Sequence, residues 1–313
     1  MAEGKRRLPG ILNRAERTLR VHPRIRVAVS LAPLVLPFAA VFLGGIALSA
    51  VQSFGFWSPV EPTTSGFSVY SELLSDPWFL GNAWFSASVA FRSALIAVVG
   101  GFLLALAVWK LPQGFQGPAV IYHVPLILPH LAVALVVMVV FGSTGFLARL
   151  AALLESLSIP VRYSSPLFDR AGWGLVIAYV YKELPFAAVL ILPVMRGIDP
   201  RLLQTAEMLG AGRITILRRI VIPEVAPVGA TVFIIMFLYA FGAYDIPFVL
   251  GSSRPQMLSI AAYTVYFERE LAMRPLAFAM LTLMALASLV LLYLYARLAR
   301  KVEMVSQPGI KRL

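Results

Sequence analysis

Asp245 is the ionisable residue whose setting could most directly serve a polar solute. It lies in an apolar stretch between Gly242 and Pro247, residue types that loosen a membrane helix where the backbone lines a cavity. Two roles fit: Asp245, with Tyr244 beside it, lines a solute pathway and draws in a cation, or it caps a helix break as an ordinary interfacial carboxylate. Lys182 and Glu183 are a second charged pair in an apolar run. Neighbours on a helix point about 100° apart, so the two cannot face one partner. Each either pairs with another helix or lines the pathway, and Pro185 is placed to kink their helix. Arg92 sits where a long side chain can snorkel. His123 and His130, seven residues apart, fall on similar helical faces, but two ligands are too few for a metal site, so packing is expected and no metal. Covalent chemistry has little support. The chain has no cysteine, and H-E-x-x-H, G-x-S-x-G and paired catalytic carboxylates are missing. So is G-x-x-x-x-G-K-[ST], which removes the usual cradle for ATP. No catalytic residue and no cofactor are expected on this chain.

These residues must be positioned by membrane helices. Hydrophobic residues make up 59% of the 313 and charged residues 13%, with a mean hydropathy of +0.83. That leaves too little polar surface for a water-soluble domain of this length. An all-α, polytopic membrane protein follows, because a chain in lipid must satisfy its own backbone hydrogen bonds. Six spans are predicted at 27–52, 85–108, 118–141, 172–194, 228–250 and 276–297, each long enough for a hydrocarbon core. The net charge of +12 does not signal nucleic acid, since the basic residues form short clusters between spans. Most of them fall before the first span (Lys5 to Arg26), between the fourth and fifth (Arg196, Arg201, Arg213, Arg218, Arg219) and after the sixth (Arg297, Arg300, Lys301, Lys311, Arg312). The positive-inside rule then puts both termini in the cytoplasm. This divides the chain into a basic cytoplasmic segment (1–26), a membrane domain (27–300) and a cytoplasmic tail (301–313). The first span is too long for a signal-peptide core and is expected to stay uncleaved. A short surface helix is expected within 144–170, from Leu147, Leu150 and Leu154.

The polar loop 199–223 stands out against this background. Asp199-Pro200 is a helix start. Leu202, Leu203, Ala206 and Leu209 share one face, and Arg201, Gln204, Thr205 and Met208 the other. Gly210 can end the helix in a left-handed turn. A second helix follows, with Ile214, Leu217 and Val221 on one side, until Pro223 breaks the pattern before the fifth span. Helix, bend, helix and membrane entry make an element that can sit in a partner's cleft and pass displacement to the fifth span. A basic loop held at anionic headgroups is the plainer alternative.

The spacing within this loop is specific: Gln204-Thr205-Ala206, then Gly210-Ala211, then Ile220-Val221-Ile222-Pro223. It resembles the Glu-Ala-Ala loop of permease subunits of binding-protein-dependent ABC importers, with Gln204 in place of the usual Glu and Thr205 in place of the first Ala. The run Phe241-Gly242-Ala243-Tyr244-Asp245-Ile246-Pro247 through Gly251 resembles the fifth-span end in the branch that includes spermidine/putrescine, iron(III) and thiamine importers. The resemblance covers roughly 85–300. It implies the type I importer permease fold, a location in the bacterial inner membrane, and coupling through Gln204, Thr205, Ala206, Gly210, Ala211, Ile220 and Pro223. It also implies two ATPase subunits that hold ATP and magnesium, a second permease of the same or another chain, and an extracytoplasmic solute-binding protein. The solute of that branch points to a polyamine or another small polar or cationic compound. The competing classes are an ion-gradient-driven secondary transporter, which needs broken helices in repeated halves, and a membrane-embedded enzyme. Asp245 marks one break, and no matching second half is evident.

Overall fold

In a computed structural model, the structure describes residues 23–56, 60–62, 64–112, 118–267 and 270–306. Most of the basic N-terminal segment, the end of the tail and Trp57 lie outside the described residues. The chain divides into two units, Met1–Val51 and Gln52–Leu313. The first holds most of helix α1 (Pro23–Ser53). In the second follow α2 (Ser68–Ser75), α3 (Pro77–Lys110), a 3₁₀ turn (Pro118–His123), α4 (Val124–Ile127), α5 (His130–Phe141), α6 (Phe146–Ser156) and α7 (Trp173–Gly197). Then come α8 (Pro200–Met208), α9 (Arg213–Ile216), a π turn (Leu217–Val221), α10 (Ile222–Gly242), α11 (Asp245–Leu250), α12 (Leu258–Phe267) and α13 (Arg274–Ser306). Among the described residues there is no strand. Six helical segments are long and apolar enough to cross a membrane.

The centre of the second unit is the pairing of α3 with α7. Small residues make it possible. Ala94, Ala97, Gly101 and Ala105 recur along one face of α3, and Ala187 and Ala188 meet them from α7. A Cβ on Gly101 would lie 2.4 Å from the Cβ of Ala187. In lipid, where apolar burial drives no association between helices, such backbone approach is a main source of packing energy. α10 packs against both helices. Two apolar clusters result. One joins α3, α7 and α10 near the 199–223 segment, around Ile191, Met195, Val221 and Val225. The other lies toward the opposite end, where Phe85, Val89, Tyr179, Ile246, Leu258 and Met280 meet.

Two predicted spans are not continuous. The third, expected as one helix over 118–141, is interrupted at Leu128-Pro129 between α4 and α5. Pro129 lacks an N–H and disfavours helical geometry for the residue before it. The fifth starts earlier than 228 and ends at Gly242 rather than 250, with α11 as a separate turn. The carbonyls freed at these breaks find side-chain donors. Ser259 Oγ donates to the Ala243 carbonyl at 2.7 Å. Lys182 donates to the carbonyls of Pro125 (3.3 Å), Leu126 (3.5 Å) and Leu128. Asn82 and Ser86 of α3 accept from the amides of Gln256 and Leu258, at 3.1 and 2.7 Å, and fix the loop that leads into α12.

Candidate functional site

The 199–223 segment forms from local rules. The Asp199 carboxylate accepts from the Arg201 amide at 2.8 Å and starts α8. Gly210 has φ +81°, and the amide of Ala211 donates back to the Ala206 carbonyl at 2.9 Å. This is the left-handed stop that glycine adopts cheaply. From Arg213 the chain is helical through to Gly242. Pro223 therefore does not break it, contrary to the expectation from sequence. Proline removes the amide that would bond the Arg219 carbonyl, and the helix widens just before it, where the Ile222 amide donates to the carbonyl of Leu217. A π turn is a common way to absorb such a lost bond. The second arm of the loop and the fifth span are one continuous rod.

The faces also differ from the predicted ones. Leu203 and Ala206 turn toward the chain, but Leu202 and Leu209 do not. Ile214 is exposed, while Ile216, Leu217, Ile220 and Val221 carry the packing. Met208, Leu209 and Ile214 are 88%, 83% and 81% exposed and protrude on either side of Gly210 as an apolar knob. Gln204 and Thr205 are exposed beside it, and the Thr205 hydroxyl donates to the Arg201 carbonyl at 2.8 Å. A cleft of about 440 Å³ separates the end of α3 (Trp109, Lys110) from this element (Leu203, Glu207, Arg213, Leu217). Helical periodicity missed the knob, because it assigns apolar residues to the chain's own core. The signal available was an excess of large apolar residues flanking a glycine in a polar segment.

The second group of candidates lies within the spans. Lys182 and Glu183 are both buried midway along α7 and face different surroundings, as adjacency requires. Lys182 serves the break in the third span. Glu183 is 6% exposed, and neither carboxylate oxygen has a hydrogen-bond partner among the described residues. Tyr239 of α10 stands between His130, at 4.9 Å between ring centres, and Tyr179, at 6.4 Å. Asp245 is exposed at the start of α11, which packs against α5 and α7, and Glu183 lies one helical turn beyond Tyr179 on α7. Tyr244 stacks on Phe248 and contacts Tyr263. The structure thus brings Asp245, Tyr239, Tyr179, Glu183 and His130 together where the third, fourth and fifth spans meet. The two histidines do not share a face. His123 stacks on Tyr122 before the break, and His130 lies beyond it. Arg92 reaches the Ala171 carbonyl and lies over the Trp173 ring at 5.3 Å. No group of three potential metal ligands occurs among the described residues.

Residues 97–304 match the family described as binding-protein-dependent transport system inner membrane component. The chain belongs to this family. It is a multi-pass permease subunit of the ABC importer type. The matched stretch takes in both the loop with the apolar knob and the cluster around Asp245. The chain is 24% identical to the spermidine/putrescine transport system permease protein PotC of Haemophilus influenzae, over 74% of this chain and 81% of that protein. It is also 24% identical to a probable sulfate transport system permease protein, cysT, of Prototheca wickerhamii, over 69% of this chain and 84% of that one. Its fold is similar to a chain in the crystal structure of a bacterial ABC transporter involved in alginate import. The TM-score is 0.72 at 19% identity, covering 90% of this chain and 99% of that one. A chain of the MetNI methionine transporter superposes less closely, with a TM-score of 0.51 at 14% identity over 71% of this chain and 94% of the other.

Proposed function

We propose that this permease moves a small cationic solute, of which a polyamine is the type, into the cytoplasm, and that its 199–223 segment is driven by separate ATPase subunits. The apolar knob of Met208, Leu209 and Ile214 carries the coupling half of this reading, and Asp245 with the similarity to a spermidine/putrescine permease supports the cationic solute. Three large apolar side chains more than 80% exposed and close together in sequence on a polar element support a docking role, since exposed apolar surface marks interaction sites. The rod from Arg213 to Gly242 gives that docking a mechanical consequence: a push at Gly210 moves the fifth span as a whole. ATP and magnesium belong to two partner ATPases, and this chain hydrolyses nothing. Both termini and the loop face the cytoplasm in this reading, which the distribution of basic clusters supports. A second permease and an extracytoplasmic binding protein complete the complex.

Mechanistically, closure of the ATPase dimer displaces the loop, and the fifth span tilts against α3 and α7. The pathway then opens outward to accept solute from the binding protein. ATP biases the equilibrium because it binds one state better than the other. The reading is tested by purifying the chain from its own host membranes. An ATPase is expected to copurify, and the isolated chain is expected to show no ATP hydrolysis. Robust hydrolysis by the chain alone would sink it.

A further inference from the structure

The cation reading rests so far on Asp245 and on relatives whose named solutes carry opposite charges. The interior offers a more specific observation. Glu183 is buried with both oxygens unpartnered among the described residues, and so is the hydroxyl of Tyr179, which is 0% exposed. Buried polar atoms in native proteins nearly always have partners, and a carboxylate without one in a membrane interior is costly. Lys182 does not supply it, because its ammonium is held by the carbonyls at the Leu128-Pro129 break. On the open side of the same cluster, Asp245 and Tyr239 are exposed on the surface of the chain. Tyr239 lies in the last turn of the fifth span and Asp245 just past its end, so the cluster opens at the end of that span. The titratable groups of this cluster are His130 from α5, Tyr179 and Glu183 from α7, Tyr239 from α10 and Asp245 from α11, while Lys182 is turned to the break in the third span.

We propose that Glu183, Asp245, Tyr179 and Tyr239 form an intramembrane recognition point for a primary ammonium group, with Asp245 at the mouth and Glu183 at the inner end. The two carboxylates supply the counter-charge. The tyrosine rings supply π faces that attract a desolvated cation, and their hydroxyls accept its N–H bonds. His130, against Tyr239, orients that ring. This rests on the cationic-solute reading above and deepens it by assigning residues to it.

The natural absence of cysteine provides the test. Gly242 is exposed at the mouth, and a Cβ there meets nothing within 4 Å, so Gly242→Cys is a well-tolerated reporter. In membrane vesicles carrying the complete transporter, it is modified with a trimethylammonium-ethyl or a sulfonato-ethyl methanethiosulfonate. Each rate is normalised to that reagent's rate with a free thiol. The cationic reagent is expected to react about 10-fold faster, within the range that charged clefts impose. Millimolar spermidine is expected to slow it, and the preference is expected to fall toward unity when Asp245→Asn and Glu183→Gln are added. Equal rates, a preference for the anionic reagent, a ratio indifferent to both substitutions, or no reaction with either reagent overturns the proposal. Yield of the assembled particle checks that the near-isosteric variants fold. Failure of the importer reading shows separately, as a purified particle without an ATPase subunit, whatever the charge ratio.

Discussion

Gly210 and Lys182 are the residues whose chemistry is tied most tightly to one position. Gly210 holds φ +81°, which proline cannot adopt and which costs other residues about 1 kcal/mol. Gly210→Pro is expected to leave membrane insertion intact while transport falls at least 10-fold per ATP hydrolysed; a normal transport-to-hydrolysis ratio in proteoliposomes would count against the hinge. Lys182 ties three backbone carbonyls at the broken third span. Lys182→Met keeps the stem and removes the donors, and each carbonyl left buried costs about 1–3 kcal/mol. The variant is expected to melt several degrees lower in detergent, and an unchanged melting temperature would show that water replaces the ammonium. Both positions were only partly legible in the sequence. Gly210 could be placed because its conformation is a local property. Lys182 could not, because its partners lie more than fifty residues away, at a break that the uniform hydropathy of 118–141 concealed.

At the scale of elements, the proposed motion depends on the pairing of α3 with α7 and on the rod from Arg213 to Gly242. The helix pair is a close contact of small residues. Gly101→Leu would force a side chain into a space where even a Cβ lies 2.4 Å from Ala187. Overpacking of this kind costs about 1–3 kcal/mol or more, so lower yield and loss of assembled particle on size exclusion are expected; wild-type behaviour would mean that the two helices separate freely. The rod was misjudged from sequence for a physical reason. Proline ends a helix by removing one hydrogen bond, but it is tolerated in a first turn and beside a π turn. Nothing in the residue order at 217–223 announces which applies. The spans were legible because length and apolar composition suffice to recognise them. Of their interruptions, the one at Gly242 was legible from Gly242 and Pro247 on either side of Asp245, whereas the one at Pro129 lies in a run as apolar as any other.

In the whole molecule, the continuous helix from Arg213 to Gly242 has the apolar knob at one end and the polar cluster at the other. Met208, Leu209 and Ile214 lie just before that rod or at its start, and Tyr239, Gly242 and Asp245 lie at or just past its far end. In the proposed mechanism, solute recognition and ATPase docking lie at opposite ends of one helix. The loop sequence pointed to the first end, through its glycine and its Ile-to-Pro spacing. The second end needed three spans to come together before Glu183 and the two tyrosines were recognisable as neighbours of Asp245. The central claim is that an ATPase pushes on residues 199–223, and crosslinking tests it most directly. In the cysteine-free chain, Met208→Cys is oxidised with cysteines placed on the surface of the copurifying ATPase, with and without ATP and vanadate. A disulfide that forms at the cytoplasmic face and changes in yield with nucleotide is the predicted result. Labelling of the same cysteine only from the extracytoplasmic side, or no crosslink in an assembled particle, would contradict the account.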